Sequence, residues 1–294
     1  MKIAIYGQFY RKEISTYVET LFSVLAMYKV EVHIEHKFYR LIEQSLSKSY
    51  ATFSSYKDLD NTFAMFITVG GDGTFLRSIN YVRDSNIPVL GLNVGRLGFL
   101  ANVQKNRIQE TVKNLLNKNF TIIERSLLQV KADGAIQTLI DFNVALNEIT
   151  VVRKNTTAMI TVDAHLDGEF LNSYWVDGLI IATPTGSTGY SLSCGGPVIS
   201  PTAQNIILTP IAPHNLSARP LVIPNDIKIK LKVVGREDFA LLSLDSRVIT
   251  IPNKTIVYIE KAPYTIKTIQ LNNQTFFKTL REKLLWGEDT RNIK

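Results

Sequence analysis

Hydrophobic and polar positions along the first hundred residues follow two alternating periods. Short apolar runs rich in β-branched residues predict strands, and the stretches between them carry apolar residues at helical spacing. The predicted strands are 2–7, 30–34, 63–69 and 88–92, and the predicted helices are 13–28, 37–48 and 75–83. Strand and helix in turn indicate a mostly parallel sheet with helices on its faces.

Beyond a predicted helix near 105–118 the chain becomes strand-rich. Turn signals such as Asp167-Gly168 separate segments with high β-branched content. These predicted strands are 122–131, 138–153, 158–166, 178–183, 227–234 and 256–260. The second region is therefore expected to be an antiparallel β-rich domain.

The C-terminal segment returns to helical spacing, with Phe276, Leu280 and Leu284 in one stripe. That stripe needs a packing surface, and the first domain is a candidate. We expect two domains: residues 1–100 joined by residues 271–294, and residues 101–270.

Composition narrows the class of protein. The chain has 294 residues, a net charge of +7 and a single cysteine, Cys194, so an intramolecular disulfide is impossible. The four histidines show no zinc-ligand spacing, and MKIAIYGQFY lacks the long apolar core of a secretory signal. We therefore expect a cytoplasmic protein without a protein-built metal site.

The basic residues are scattered and are not interleaved with aromatic residues as in nucleic-acid binders. No apolar run approaches the length of a membrane span. We expect neither a nucleic-acid nor a membrane partner. The positive charge fits a solvated surface or attraction of anionic small molecules, and charge alone leaves both open.

Residues 69–76, VGGDGTFL, form a glycine-rich turn between a predicted strand and a predicted helix. Such turns bind anions through backbone N–H groups at a helix N-terminus. The turn is not a P-loop, because no lysine follows, and Leu76 replaces the third glycine of the dinucleotide-binding fingerprint.

Asp72 lies in the middle of this turn and has two interpretations. It caps the following helix, for which aspartate is a favoured residue, or it is a catalytic acid/base or metal contact beside a phosphate site. An ionised carboxylate repels phosphate but accepts a hydrogen bond from a sugar hydroxyl. The second interpretation therefore suggests phosphoryl transfer onto a hydroxyl.

Residues 177–197, DGLIIATPTGSTGYSLSCGGP, combine a strand with a run of hydroxyls and glycines. Tyr190 offers an aromatic face for a base, and the glycines let a backbone approach a ligand closely. The alternatives are a ligand site and an ordinary Ser/Thr-rich loop. A hydrolase nucleophile elbow is excluded, because Gly186 directly precedes Ser187.

A third candidate is the polar pair Asn147-Glu148 inside the apolar stretch VALNEITVV. Successive strand residues point to opposite faces, so one side chain faces the core side and needs a partner. A solvent-facing residue beside one satisfied asparagine is the alternative.

Taken together, these blocks resemble the NAD kinase family. The matching blocks are GGDGT (70–74), NVGRLGFL (93–100), NE (147–148), the block at 177–197, LSARPLV (216–222) and SLDSR (243–247). GGDG is shared with phosphofructokinases and diacylglycerol kinases, whereas TPTGSTxY is much more specific. The resemblance covers most of the chain from about residue 63 to the end.

The resemblance implies transfer of the γ-phosphoryl of ATP to the 2′-hydroxyl of the adenosine ribose of NAD, giving NADP. It implies a divalent ion, Mg²⁺ or Mn²⁺, which we expect to arrive with ATP, and a homodimer or homotetramer. It also implies an α/β N-terminal domain with a parallel, Rossmann-like sheet, and a β-rich antiparallel C-terminal domain.

On the phosphoryl-transfer side, the resemblance implies that Asp72 contacts the 2′-hydroxyl and is the base. Gly73 and Thr74 would line the phosphate side, and Phe99 would form a pocket wall. Four further matching residues have no firm role, with phosphate contact, ATP contact or structure left open: Gly71, Arg96, Arg219 and Asp245.

On the dinucleotide side, the resemblance implies that Asn147 binds adenine and Glu148 a ribose. Asp177 and Ala212 would reach the nicotinamide carboxamide. Three residues would surround the adenine, with the tyrosine stacking on it: Thr188, Tyr190 and Ser193.

Two positions depart from the family pattern. Gly189 stands where the family usually has alanine, which leaves the local pocket geometry open. Trp175 stands where many relatives have a basic residue, which leaves the nucleotide preference open.

Two other functions remain as alternatives at this point. A non-catalytic dinucleotide-binding regulator would keep the pocket, but the intact Asp72 argues against it. A lipid or sugar kinase of the same superfamily would share GGDG, but the block at 177–197 argues against it. The sequence leaves open ATP against polyphosphate as donor, NAD against NADH as acceptor, and feedback by NADPH.

Overall fold

A computed structural model describes residues 1–10, 14–104, 107–132, 142–155, 158–215, 217–272 and 274–285. The chain forms two compact units. The N-terminal unit comprises Met1–Glu124 and Ile266–Lys294, and the β-sandwich unit comprises Arg125–Thr265. The expected domains, with boundaries at residues 100 and 270, stay a prediction.

The predicted strands and helices occur along the chain together with further strands that the sequence pattern does not predict. The strands are β1 (Lys2–Gly7), β2 (Glu31–Glu35), β3 (Ala51–Phe53), β4 (Phe63–Gly70), β5 (Val89–Asn93), β6 (Val103–Gln104), β7 (Phe120–Arg125), β8 (Leu128–Ala132), β9 (Val144–Ala145), β10 (Glu148–Arg153), β11 (Ile160–Leu166), β12 (Glu169–Val176), β13 (Gly178–Ala182), β14 (Asn205–Ile211), β15 (Leu221–Pro224), β16 (Ile229–Val234), β17 (Phe239–Leu244), β18 (Arg247–Pro252), β19 (Ile256–Lys261) and β20 (Ile266–Leu271). The helices are α1 (Ser15–Met27), α2 (His36–Ile42), α3 (Asp72–Val82), α4 (Ile108–Leu116), the single turn α5 (Tyr190–Ser193), and α6 (Phe276–Leu284).

The N-terminal unit contains one sheet of eight strands in the order β3-β2-β1-β4-β5-β20-β7, with β6 paired to β5. The pairs from β3 through β20 are parallel. From β1 the chain builds outward through β2 and β3, and β4 then pairs with the other side of β1. The strand order therefore reverses between β1 and β4, and open α/β sheets bind ligands at such a point, beyond the carboxyl ends of the strands.

The β-sandwich unit contains two six-stranded sheets, β15-β14-β13-β10-β17-β18 and β12-β11-β16-β19-β8-β9. Their pairs are antiparallel. One apolar core takes side chains from both sheets, among them Ile149 and Leu179 from the first and Val162 and Leu231 from the second. Because β-strand side chains alternate between faces, β11 and β16 each direct every second residue into this core.

The predicted change from an α/β to a β-rich region is confirmed, but two predicted strands, 122–131 and 138–153, are wrong. Residues 138–153 are not one strand, because β9 and β10 are separate and pair in different sheets of the β-sandwich unit. Residues 122–131 are not continuous, because β7 belongs to the sheet of the N-terminal unit and β8 to a sheet of the β-sandwich unit. Predicted helix 37–48 ends as α2 at Ile42, followed by a 3₁₀ turn at Glu43–Ser45. The predicted strand positions 138–141 and helix positions 105–106 lie outside the described residues.

None of the helices in the described part of the chain has the length and hydropathy that crossing a bilayer requires.

Candidate active site

The GGDGT turn joins β4 to α3 at the carboxyl edge of the parallel sheet. Gly70 ends β4, Gly71 is the N-cap residue of α3, and Asp72 is the first residue of the helix. No side chain caps this helix. The interpretation of Asp72 as the helix cap is therefore wrong, and its carboxylate is used elsewhere.

The Asp72 carboxylate binds a row of three backbone N–H groups in the loop that follows β5. Oδ1 accepts from Leu100 N at 3.0 Å and from Ala101 N at 2.8 Å, while Oδ2 accepts from Phe99 N at 2.9 Å. A carboxylate offers about four acceptor positions. One position, on Oδ2, therefore remains for another donor.

The loop at residues 93–101, here called the Phe99 loop, is shaped to receive this carboxylate. A Cβ atom at Gly98 would lie 1.9 Å from Asp72 Oδ1, so only glycine allows the contact. The buried Asn93 holds the loop from inside, donating to Arg96 O at 2.7 Å and Ala101 O at 2.9 Å. The turn and the Phe99 loop are thus one connected structure.

Helix α6 contributes to the same place within the N-terminal unit. The rings of Phe99 and Phe276 lie 6.2 Å apart, and Lys283 Nζ lies 5.1 Å from the centre of the Phe99 ring. The C-terminal segment therefore packs against the Phe99 loop and restricts the position of the Phe99 ring.

A pocket of about 290 Å³ lies beside the GGDGT turn. Its walls include Gly70, Gly71 and Thr74 from the turn and Val94 and Gly95 from the Phe99 loop. This turn pocket lies at the reversal of strand order. Gly73 is exposed, Thr74 is buried, and Arg96 is exposed on the loop.

In the β-sandwich unit, the Asn147-Glu148 pair begins β10 and is held by Asp245. Asp245 Oδ1 accepts from Asn147 N at 2.8 Å and Glu148 N at 3.1 Å, and Oδ2 accepts from Leu146 N at 2.9 Å. Asp245 N in turn donates to Glu148 O at 3.0 Å. The β17–β18 turn therefore fixes the backbone of the polar pair.

The side chains of this pair leave two buried oxygens without a partner. Among the described residues, neither Asn147 Oδ1 nor Glu148 Oε2 has a hydrogen-bond partner. A Cβ atom at Gly189 would lie 3.1 Å from both Glu148 Oε2 and Asn147 Nδ2. Buried polar atoms without partners are uncommon, and here one of them, Glu148 Oε2, lies with the Asn147 amide beside a single backbone position.

Burial, and after it the charge of the neighbouring Asp245, raise the pKa of Glu148 to about 8 against the opposing effect of the Tyr190 N–H. At neutral pH the Glu148 carboxyl is therefore mostly protonated, and it can donate as well as accept a hydrogen bond.

The hydroxyl-rich loop at 183–196 lies against the same pair. Thr183 N donates to Asn147 O at 2.8 Å and Thr183 Oγ1 to Leu146 O at 2.6 Å. A Cβ atom at Gly186 would lie 2.1 Å from Asn147 O, so glycine is required for this approach. Thr188 donates to Thr185 O at 3.2 Å, and Tyr190 is 45% exposed.

Asp177 and Ala212 lie at the other end of β13, where Asp177 N donates to Ile211 O at 3.0 Å. The Asp177 carboxylate accepts from Arg153 Nη2 at 2.9 Å. Burial raises the pKa of Tyr190, and so does the proximity of Cys194, Asp177 and Glu148, whose ionised forms repel a phenolate. Tyr190 is thus close enough to both Asp177 and Glu148 to respond to their charges.

Trp175 and His214 flank this end, with ring centres 4.2 Å apart and Trp175 about half exposed. Ser193 is exposed, and Arg219 is exposed with a guanidinium nitrogen donating to Ala218 O at 2.8 Å. Ser193 and Arg219 therefore lie on the surface of the β-sandwich unit.

A resident metal ion does not fit the side chains that are described. Within those residues, no three His, Cys, Asp or Glu side chains are grouped as a metal site requires.

The candidate residues thus form two groups, one in each unit. Sequence reasoning missed several residues that shape them, and for Gly98 and Arg153 the contacted residues, Asp72 and Asp177, are distant along the chain. Asn93 and Gly98 fall inside the NVGRLGFL block and could have been found there. The sequence offers no comparable signal for Arg153.

Comparison with known proteins extends over nearly the whole chain. The ATP-NAD kinase N-terminal domain matches residues 3–120, and the ATP-NAD kinase C-terminal domain matches residues 146–271. The NAD kinase of Flavobacterium psychrophilum is 54% identical over 294 residues, which cover 99% of this chain and 100% of that protein. The NAD kinase of Bacteroides fragilis (strain ATCC 25285) is 40% identical over 291 residues, with coverage of 99% and 100%.

Two solved structures are also similar to this chain. An NAD kinase from Archaeoglobus fulgidus in complex with ATP has a TM-score of 0.75 and 26% identity, covering 97% of this chain and 99% of that chain. Yeast NADH kinase complexed with NADH has a TM-score of 0.87 at 24% identity, covering 100% and 90%, and shows the same fold.

Proposed function

The chain belongs to the NAD kinase family, and we propose that it transfers the γ-phosphoryl of ATP to the 2′-hydroxyl of the adenosine ribose of NAD. The product is NADP, with ADP as the leaving group. The family is ATP-dependent and the enzyme is a phosphotransferase.

The observation that carries the proposal is the pair of unpartnered buried oxygens, Asn147 Oδ1 and Glu148 Oε2. We assign Asn147 Oδ1 to an adenine N–H donor and the Glu148 carboxyl to a ribose hydroxyl. Ligand binding would then give each of the two oxygens a hydrogen-bond partner. The exposed ring of Tyr190 would stack on the base. Thr188 and Ser193 would border the same base.

We assign the acceptor hydroxyl to the free position of Asp72 Oδ2. The three backbone N–H groups fix the carboxylate, so its remaining acceptor position has one direction. In the reaction, the 2′-oxygen forms a bond to the γ-phosphorus, the bond to the ADP oxygen breaks, and the hydroxyl proton passes to Oδ2. A positioned base of this kind contributes about 10²–10⁴-fold to the rate.

For the donor, we assign the triphosphate to the turn pocket, with Gly71, Gly73 and Thr74 on its phosphate side. Phosphoryl transfer depends mainly on positioning and electrostatics, which backbone N–H groups at a helix N-terminus can supply. We propose that the divalent ion, Mg²⁺ or Mn²⁺, enters as part of the substrate ATP. Arg96 on the Phe99 loop and Arg219 are assigned to phosphate attraction.

At the far end of the dinucleotide, we assign the nicotinamide carboxamide to Asp177 and the backbone at Ala212. Asp177 lies five residues before Ala182 in the strand that pairs with Glu148, a separation of roughly 17 Å. We further propose that the enzyme acts in the cytoplasm as a homodimer or homotetramer.

The test is NADP formation from NAD and Mg·ATP by purified full-length protein, with [γ-³²P]ATP to locate the transferred group. We expect label on the 2′-phosphate of NADP and a strongly raised KM for NAD in Asn147→Ala. Absence of NADP with the wild-type protein contradicts the proposal. Tight NADP binding without turnover would point to a regulator, and labelling of a lipid or sugar to another kinase.

A further inference from the structure

A second pocket lies at the carboxyl edge of the parallel sheet and has no role in the assignments above. It has a volume of about 340 Å³ and adjoins the ends of β1 and β2. Its walls include Tyr6, Gln8, Glu35, Lys37, Arg77 and Tyr81. This β1–β2 pocket has the size of a small-molecule site.

The β1–β2 pocket is a neighbour of the turn pocket. Phe9, which follows β1, lines both pockets. Arg77 lies on α3, the helix that the GGDGT turn begins. A ligand with its phosphates at the turn therefore has a second cavity of the same unit beside it, on the β2 side of the strand-order reversal.

We propose that the β1–β2 pocket binds the nucleoside half of the phosphoryl donor, ATP, while the triphosphate occupies the turn pocket. This inference rests on the proposed function, because it names the place of its donor substrate.

Glu35 supplies a group that matches a ribose. It is the last residue of β2 and only 3% exposed, and its Oε2 accepts from Phe38 N at 2.9 Å, which fixes the carboxylate at the pocket wall. In dinucleotide-binding sheets, an acid beyond the first βα turn accepts hydrogen bonds from ribose hydroxyls.

Two tyrosines supply an apolar wall for a base. The rings of Tyr6 and Tyr81 lie 5.1 Å apart with planes tilted by 48°. Burial raises the pKa of Tyr6 to about 12, and burial followed by the charge of Glu35 raises the pKa of Tyr81. Both phenols are therefore neutral, and their hydroxyls are hydrogen-bonded to Gln8 and Glu35 respectively, so the tyrosines offer a base their ring surfaces.

Two cations at the pocket suit the α-phosphate, which joins the nucleoside to the rest of the triphosphate. Lys37 and Arg77 are both exposed at the pocket, and Arg77 Nη1 and Nε lie 2.7 and 3.1 Å from the Gln8 side-chain amide. Arginine oriented in this way presents its remaining N–H groups as a fork that suits phosphate oxygens.

The test is steady-state kinetics of the full-length enzyme with two pocket variants and one control. Arg77→Met removes the fork, and Leu41→Trp fills the mouth of the pocket, where Leu41 is 47% exposed. Arg40→Met removes an exposed cation of α2 that is not among the pocket walls. We expect KM for Mg·ATP to rise about tenfold in both pocket variants, with KM for NAD unchanged and the control like wild type.

An unchanged KM for Mg·ATP, or an equal rise in both KM values, would overturn the inference. Calorimetric titration with ADP separates it from the proposed function. If the wild-type protein forms no NADP, weaker ADP binding in both pocket variants still supports a nucleotide site. Equal ADP binding in all four proteins overturns that site.

Discussion

Two aspartates, one in each unit, bind the backbone in the same way. Asp72 accepts the N–H groups of three consecutive residues, 99–101, and Asp245 accepts those of residues 146–148. In both, one carboxylate oxygen takes two donors and the other takes one. The comparison shows that a carboxylate with three backbone donors is first of all a loop anchor.

What differs is the surroundings. Asp72 begins a helix beside the turn pocket, whereas Asp245 lies in a strand turn with a positive φ of 51° beside the buried Glu148. The same kind of contact therefore serves two purposes. In our assignment Asp72 takes part in phosphoryl transfer, whereas Asp245 positions Asn147 and Glu148. Loss of activity on replacing Asp72 is not by itself evidence of a base, and Asp245 supplies the control.

The largest predicted effect is a difference in kcat between variants of the two aspartates. In Asp72→Asn and in Asp245→Asn, the amide keeps one acceptor oxygen but places an NH₂ group against a backbone N–H. Each should lose about 1–3 kcal/mol in free energy of unfolding, measured by urea denaturation. Only Asp72→Asn should also lower kcat, by about 10²–10⁴-fold.

Asp245→Asn should act through KM for NAD, because it loosens the residues assigned to adenine and ribose. Equal kcat values in the two variants at equal folded fraction would reduce Asp72 to an anchor and refute its role as base.

The next effect tests how tightly the Phe99 loop closes on Asp72. Gly98→Ala places a methyl 1.9 Å from Oδ1, whereas a methyl at Gly95 meets only Asn93 Oδ1, at 4.0 Å. We expect Gly98→Ala to lose about 1–3 kcal/mol in free energy of unfolding together with most activity. Gly95→Ala, its control, should keep its stability. A stable Gly98→Ala variant would show that the anchor is dispensable.

The contrast between the anchors also marks what sequence could predict. The change from helix–strand alternation to strands follows from periodicity, and Asp72, Asn147 and Glu148 stood out as polar residues in apolar settings. The three-donor contacts could not be foreseen, because Asp72 and Asp245 reach backbone groups far away along the chain. The same reason hid the break between β7 and β8, since both segments have strand-like sequence but join different sheets.

A smaller effect is the dependence of the free energy of unfolding on pH, which involves Glu148 beside Asp245 but not Asp72. Glu148 keeps its proton in the folded chain to about pH 8, against an ordinary value of 4.5. Between these values the unfolded chain binds fewer protons, so the free energy of unfolding falls as pH rises through this window. The fall should amount to a few kcal/mol, at about 1.4 kcal/mol for each pKa unit.

Urea denaturation between pH 4 and 9 measures this slope. Glu148→Gln should remove most of it, leaving the part due to Asp245, whose pKa burial also raises. Asp245→Asn should remove that part and move the upper end of the slope to lower pH by removing a neighbouring negative charge. Asp72→Asn should leave it unchanged. An identical slope in wild type and Glu148→Gln would show that Glu148 is not the group responsible.

The smallest effect is expected at Gly189. A methyl there would lie 3.1 Å from Asn147 Nδ2 and Glu148 Oε2, both of them ends of side chains that can shift by a few tenths of an ångström. We expect Gly189→Ala to change KM for NAD by about threefold or less, with kcat unchanged. A fall in kcat for Gly189→Ala as large as that for Asp72→Asn would show that the Asp245 side affects catalysis as strongly as Asp72 does.

The most direct measurement is a crystal structure of the enzyme with NAD and a non-hydrolysable ATP analogue. The account predicts the ribose 2′-oxygen within about 2.6–3.2 Å of Asp72 Oδ2, with the three backbone donors still in place. A 2′-oxygen that contacts neither oxygen of Asp72, or a carboxylate that has left its backbone donors to reach the ribose, would contradict it.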